Sequence, residues 1–269
     1  MSTLLLKDKV AFIAGGTSGI NLEIARRFAA EGACVFVMSR DPAKVRAAID
    51  EIRGAYGGRV DGIAADVRDY EQIVQAVEAC ATRFGKLTTV ISGAAGNFVA
   101  PAASMSSNAF NTVLQIDLLG TFNVFRAAHG FLAEGDASLI AISAVQATTP
   151  MPGQAHVCAA KAGIEMLVKV LALEWGPAGI RVNAISPGPI GGTEGMRRLT
   201  PNAQAEAALL AGIPLGRYGR AEEVAEAATW LSSDRAGYVT GSTLTCDGGN
   251  SLSGGAVFAN ALAAGRTSR

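Results

Sequence analysis

Short apolar runs alternate with longer amphipathic stretches along nearly the whole chain. The first four runs are Val10-Ala11-Phe12-Ile13, Cys34-Val35-Phe36-Val37-Met38, Gly62-Ile63-Ala64-Ala65 (ending at Asp66) and Thr89-Val90-Ile91. Leu139-Ile140-Ala141-Ile142, Arg181-Val182-Asn183-Ala184-Ile185 and Thr243-Leu244-Thr245-Cys246 continue the series. Runs this short, with apolar residues in succession, suit strands buried on both faces. Between them apolar residues recur at helical spacing: Ile20, Ile24 and Phe28, then Val45, Ile49 and Ile52, then Ile73, Val74, Val77 and Phe84. Strands separated by amphipathic helices require right-handed crossovers. The pattern therefore predicts an α/β fold, a doubly wound parallel sheet of about seven strands in a single domain. No shift in composition divides the chain before residue 250, so the domain is expected over 1–250, followed by a Gly-, Ala- and Ser-rich tail over 251–269.

Composition narrows the function. Hydrophobic residues make up 49% of the 269, enough for a large core. Twenty-three basic residues balance 23 acidic ones, which argues against nucleic acid and anionic membrane surfaces as partners. No apolar run approaches a membrane span, and Met1-Ser2-Thr3-Leu4-Leu5-Leu6-Lys7 is too short and too charged for a signal peptide. Cys34, Cys80, Cys158 and Cys246 are scattered without a Cys-x-x-Cys pair, so free thiols in a reducing compartment are expected. With only His129 and His156, no metal site is expected.

In a doubly wound sheet, ligands bind beyond the carboxyl ends of the strands. After the first strand comes Ala14-Gly15-Gly16-Thr17-Ser18-Gly19-Ile20-Asn21, running into a helical stripe. Strand, glycine-rich turn and helix are what a dinucleotide phosphate site needs: glycines admit the phosphate, Thr17 and Ser18 add hydroxyls, and the helix N-terminus faces the negative charge. Ser39-Arg40 follows the second strand, where the adenosine ribose lies. A carboxylate there would repel a 2′-phosphate, whereas Arg40 offers it a fork of donors, so a nucleotide carrying a 2′-phosphate is expected. Asp66 follows the third strand and suits either an adenine contact or a helix N-cap.

From about residue 7 to 250 these motifs resemble, in order, the short-chain dehydrogenase/reductase family, whose fold is a Rossmann-type sheet. Gly15-x-x-x-Gly19-x-Asn21 is similar to its Gly-x-x-x-Gly-x-Gly, with Asn21 as the third glycine. Asp66-Val67 resembles the adenine-contacting motif. Ser92-Gly93-Ala94-Ala95-Gly96 stands where the family has Asn-Asn-Ala-Gly, without either asparagine. Ser143 stands at the position of the catalytic serine, and Pro187-Gly188-Pro189-Ile190 resembles the motif on the nicotinamide side. The resemblance implies a cofactor set of Gly15, Thr17, Ser18, Gly19, Ile20, Ser39, Arg40, Asp66, Val67, Ala94, Lys161, Pro187, Gly188, Ile190 and Thr193.

The departure lies in the chemistry. The family signature is Tyr-x-x-x-Lys, with tyrosine as acid; here Lys161 is preceded by Val157. Residues four apart share a helix face, so the valine stands where the phenol would be, and valine donates no proton. Asp117 falls on the apolar stripe of Phe110, Val113, Leu114 and Thr121, and is costly to bury unless paired, with Lys161 the expected partner. Asp247 precedes Gly248-Gly249, where a turn-forming role is equally open. Valine for tyrosine, Ala94-Ala95-Gly96-Asn97-Phe98, Asp117 before Gly120-Thr121-Phe122-Asn123-Val124, His156 before Lys161, Gly188-Pro189-Ile190-Gly191-Gly192-Thr193-Glu194-Gly195 and Asp247 together resemble the 2,4-dienoyl-CoA reductases of this family of the peroxisomal type.

That resemblance implies NADPH-dependent reduction of a conjugated acyl-CoA thioester. The proton would go to carbon through a water held by Asp117 and Asp247, Lys161 would hold the ribose, and Ser143 would serve the thioester oxygen. Arg68, Phe98, Ser106 and Arg198 match acyl-CoA contacts, and a homotetramer through helices near 106–130 and 157–176 is implied. The chain ends Thr267-Ser268-Arg269, not Ser-Lys-Leu, so a cytoplasmic location is expected. Two other functions remain open here: a carbonyl reductase or alcohol dehydrogenase using His156 or water as acid, and a catalytically inactive NADP-binding protein.

Overall fold

A computed structural model describes residues 4–193, 196, 200 and 202–252. The expected tail thus lies, beyond Leu252, outside the described residues. Seven strands form one sheet: β1 (Val10–Ala14), β2 (Cys34–Ser39), β3 (Val60–Ala64), β4 (Thr89–Ser92), β5 (Ala137–Ile142), β6 (Ile180–Pro187) and β7 (Thr243–Cys246). Their order is β3-β2-β1-β4-β5-β6-β7 and every neighbouring pair is parallel. The described α-helices are α1 (Gly19–Ala30), α2 (Pro42–Tyr56), α3 (Tyr70–Phe84), α4 (Ser107–Leu114), α5 (Gly120–His129), α6 (Ala155–Trp175), α7 (Ala203–Ala211) and α8 (Ala221–Ser232).

Alternate residues of the central strands enter different cores. Phe12 and Phe36 pack with α3, α5 and α6 through Ile73, Phe125 and Ile164. Ile13 and Val37 pack with α1, α2 and α8 through Phe28, Ile52 and Leu231. Both sheet faces are covered, which is why the strands read as continuous apolar runs.

Two expectations need correction. The third strand begins at Val60 and ends at Ala64, two residues short of Asp66. It is an edge strand, and Ile63 and Ala64 stay exposed, so hydrophobicity did not mark its ends. Gly62 is needed for room: a Cβ there would lie 2.3 Å from the Val37 carbonyl oxygen. The second correction concerns the long helix around residues 107–129. Gln115–Leu119 forms a π-helical turn between α4 and α5, carrying Asp117. Such turns occur mostly as single insertions in α-helices, often at functional sites.

Candidate active site

The chain winds from β1 outward to β3, then returns to lay β4 on the other side of β1. The crevice beyond the carboxyl ends of β1 and β4 is therefore the topological switch point. Gly15 leaves β1 with φ +79°, and a Cβ on it would lie 2.9 Å from the Ala94 nitrogen after β4. Gly19 opens α1 with φ +54°. Ser18 precedes it in extended conformation, its side chain capping nothing, and α1 has no acidic residue in its first turn. The N-terminus of α1 is thus open to an anion. Thr193 reaches the same place from the far side: its methyl lies 4.0 Å from where a Gly19 Cβ would be. Thr193 is held by its hydroxyl donating to the Ile190 carbonyl, 2.8 Å. Ile190 is buried, and Pro187 ends β6, followed by Gly188.

At the end of β2, Ser39 Oγ is buried without a hydrogen-bond partner and Arg40 is exposed. Asp66 is engaged by Arg68, whose guanidinium donates to both carboxylate oxygens at 2.5 to 3.1 Å. The Arg68 contact holds the Asp66 carboxyl below its ordinary pKa, against the opposing effect of burial. Asp69, not Asp66, caps α3 by accepting from the Gln72 N–H, 3.1 Å. Val67 is buried, and its carbonyl accepts from Asn123 Nδ2, 2.9 Å.

Deeper in the cleft, Asp117 is fully shielded and Lys161 nearly so. Asp117 Oδ2 lies 3.0 Å from Lys161 Nζ, an ion-pair contact without the alignment of a hydrogen bond. Asp117 Oδ1 accepts from the Gly96 N–H, 2.7 Å, and Lys161 Nζ also donates to the Ile142 carbonyl, 3.1 Å. Thr121 donates to the Asp117 carbonyl, 2.7 Å, and Ser92 donates to Thr121, 3.1 Å. The pairing expected from the sequence is therefore made, and the backbone carrying Asp117 is held from β4. Val157 is buried in a small apolar patch with Val113, Ala160, Phe98 and Leu114. Beside it His156 is fully buried, its ring 4.1 Å from that of Phe98, with neither nitrogen hydrogen-bonded. Burial lowers the His156 pKa; the charge of Asp117 and the Phe98 backbone oppose this in part.

Three expected site residues are engaged elsewhere. Ser143 donates its hydroxyl hydrogen to Glu165 Oε1, 2.8 Å, so in this arrangement it has no hydrogen to offer a thioester oxygen. Ser106 caps α4, accepting from the Ala109 N–H at 3.1 Å, and lines a cavity of about 360 Å³ with Met105, Phe110 and Ala155. Asp247 accepts from the Gly249 N–H at 2.8 Å and the Ser251 N–H at 2.7 Å, closing a turn. Burial raises its pKa, but the bonds from Ser251 and Gly249 outweigh this and hold it below the ordinary value. Among the described residues, no hydrogen bond or ion pair joins Asp247 to Asp117 or Lys161. Arg198, like Glu194 and Gly195, lies outside the described residues.

The sequence model described as Enoyl-(Acyl carrier protein) reductase matches residues 14–251. The chain belongs to the short-chain dehydrogenase/reductase family. It is 42% identical over 246 residues to the peroxisomal 2,4-dienoyl-CoA reductase of Danio rerio, covering 91% of this chain and 82% of that one. The corresponding Arabidopsis thaliana protein is 41% identical over 259 residues, 93% of this chain and 86% of that one. Among solved structures, a short chain dehydrogenase from Bacillus anthracis superposes with a TM-score of 0.82 at 37% identity, covering 91% and 97% of the two chains.

Within this short-chain dehydrogenase/reductase site, some partners escaped the reading of the sequence. Glu165 stands four residues after Lys161, so the shared helix face was readable, but its contact with Ser143 was not. Gln154, buried at the start of α6, accepts from Gln146 Nε2 at 3.0 Å and donates to Asn97 Oδ1 at 2.9 Å. It ties together three loops of the rim, and nothing local in the sequence signals it.

Proposed function

We propose that the protein reduces a conjugated 2,4-dienoyl-CoA thioester to the 3-enoyl thioester with NADPH. The observation that carries this reading is the buried Asp117–Lys161 pair beside Val157, where the family's acid would stand. A nicotinamide nucleotide fits the residues present: two positive-φ glycines at a helix start and the orphaned Ser39 hydroxyl beside Arg40 supply a phosphate cradle. Gly15, Thr17, Ser18, Gly19 and Ile20 would face the pyrophosphate, and Ser39 and Arg40 the 2′-phosphate. Asp66, Val67 and Ala94 would flank the adenosine, and Pro187, Gly188, Ile190 and Thr193 the nicotinamide end. When bound, NADPH supplies hydride to the far end of the conjugated system.

The remaining work is a proton delivered to the carbon next to the thioester. No phenol is needed for that. Lys161, with two contacts already made, has an N–H left for a ribose hydroxyl. Asp117 accepts and releases a proton through a water at the cleft floor, its charge balanced by Lys161. Asp247, with both oxygens engaged by backbone N–H groups, shapes the turn beside Gly188 instead of sharing the relay. The cavity at Met105, Ser106 and Phe110 is the proposed acyl path, with Phe98, Arg68 and Arg198 toward the CoA.

Carbonyl reduction is disfavoured. It needs a donor at oxygen, yet the Ser143 hydrogen goes to Glu165, the His156 ring is fully buried against Phe98, and Val157 stands in place of the phenol. An inactive NADP-binding protein is disfavoured too, because two buried charges are costly to keep without use.

A homotetramer is proposed from the apolar side chains left exposed on adjoining helices, Leu119, Phe122, Met166, Val170 and Leu173. Light scattering on purified protein tests it. No described helix is long and apolar enough to cross a membrane. We keep the cytoplasm as the proposed location because the four cysteines are unpaired; the named relatives are peroxisomal, and cell fractionation distinguishes the two.

The function is tested by following NADPH oxidation with dienoyl-CoA, enoyl-CoA and ketone substrates. Turnover confined to dienoyl-CoA supports it, and turnover of ketones alone overturns it.

A further inference from the structure

Residue 93 is a junction. Its N–H donates to the Ala14 carbonyl at the end of β1, 3.1 Å, and its carbonyl accepts from Asn21 Nδ2 in the first turn of α1, 2.8 Å. A Cβ on Gly15 would lie 3.1 Å from the Gly93 carbonyl carbon. The glycine loop therefore touches Gly93 from both sides. Three residues later Gly96 reaches Asp117.

A Cβ on Gly93 would lie 2.3 Å from both Nδ2 and Oδ1 of Asn21, closer than real contacts allow. Gly93 is not among the positive-φ glycines, so what opposes a side chain there is the Asn21 amide, held in place by its bond to the Gly93 carbonyl, and not backbone conformation. Asn21 is only 7% exposed, and its Oδ1 is buried without a partner. An unsatisfied buried oxygen costs stability, and the Nδ2 bond to Gly93 is what this side chain has to offset that cost among the described residues.

We propose that Asn21 and Gly93 form one lock, with the side chain on α1 and the empty position in the loop just after β4. The lock sets the gap between the phosphate cradle and the loop after β4, and thereby the affinity for the cofactor. Two departures from the family pattern become a single exchange: an asparagine where the third glycine belongs, and a glycine where an asparagine belongs. Asn21 is a positioning residue, acting on the cradle through Gly93. The proposal rests on reading the cradle as a nicotinamide nucleotide site.

The test compares wild type, Asn21→Gly, Gly93→Ala and the double variant. NADPH affinity is read by fluorescence titration, and the thermal midpoint is read without cofactor. Asn21→Gly is expected to weaken NADPH binding about tenfold, the worth of a lost buried hydrogen bond. Gly93→Ala should cost at least as much in wild type, yet less than about twofold once Asn21 is gone, because the contact it violates has been removed. Wild-type affinity in Gly93→Ala overturns the lock, as does the same loss in both backgrounds. If Gly93→Ala alone does not fold, folding of the double variant supports the lock and its failure overturns it. Lower midpoints with unchanged NADPH affinity reduce the pair to a structural contact and overturn the positioning role. If wild type binds neither NADPH nor NADH, the nucleotide reading itself falls, and the lock's effect on affinity with it.

Discussion

Asp117 Oδ2 and Lys161 Nζ meet 3.0 Å apart at the floor of the cleft, joining the π-helical turn to α6. Desolvating both charges costs several kcal/mol per ion unless other bonds complete the site. Here the Gly96 N–H serves Asp117 Oδ1 and the Ile142 carbonyl serves Lys161, while Asp117 Oδ2 has only its contact with the ammonium. The pair is thus built into the backbone at the ends of β4 and β5.

Replacing Asp117 with Asn should lower kcat on a dienoyl-CoA by roughly 10²–10⁴-fold, the usual worth of a positioned acid–base group. NADPH affinity should change little, while the midpoint falls because Lys161 keeps an unpaired charge. The three quantities are measured on one variant. Near wild-type kcat would remove Asp117 from the mechanism, and loss of NADPH binding alone would make the pair structural.

Val157→Tyr should not raise turnover of a dienoyl-CoA. Val157 is buried against Val113 and Phe98, so a phenol must displace them, and overpacking of this kind typically costs about 1–3 kcal/mol. Steady-state rates on dienoyl-CoA and on ketones check this. A large gain on the thioester would contradict delivery of the proton through water; a gain on ketones alone would show a family scaffold that had lost its acid.

Arg40→Asp should weaken NADPH binding far more than NADH binding, by an amount worth about 1–3 kcal/mol for a charged hydrogen bond. Ser39, with its buried unpartnered hydroxyl, should show a smaller change of the same kind as Ser39→Ala. Titrations with both nucleotides read the difference. Equal losses, or a wild-type preference for NADH, would contradict the assignment of this corner to a 2′-phosphate.

Asp247→Asn should lower the thermal midpoint near neutral pH and reduce kcat much less than Asp117→Asn does. The folded-state pKa of Asp247 is depressed. Its contribution to stability is therefore present above the ordinary carboxyl pKa of about 4 and is lost as pH falls through the lower folded value. The gap in midpoint between wild type and Asp247→Asn should accordingly narrow from pH 7 toward pH 3. A kcat loss as large as that of Asp117→Asn would return Asp247 to the proton relay.

The sheet was legible because both its faces are covered, so each central strand shows as an apolar run. β3 was blurred at its ends because an edge strand needs fewer apolar residues. The Asp117–Lys161 pair could be anticipated from two helix stripes facing one cleft. The π-helical turn could not, because it depends on packing and not on residue spacing. The direction of the Ser143 hydroxyl depends on Glu165, 22 residues away, and the Asn21–Gly93 contact spans 72 residues. Such long-range partners leave no periodic trace. Ser106 and Asp247 show the opposite problem: their local roles, a helix cap and a turn, fit the same residues as well as a functional role does.

The most direct test follows the two hydrogens added to a 2,4-dienoyl-CoA when the reaction is run in D₂O and stopped early. The proposed chemistry places one solvent deuterium on the carbon next to the thioester and none at the far end of the former diene, leaving a 3-enoyl product. Solvent deuterium at the fourth carbon with a 2-enoyl product, or no NADPH consumption with any dienoyl-CoA, would contradict it.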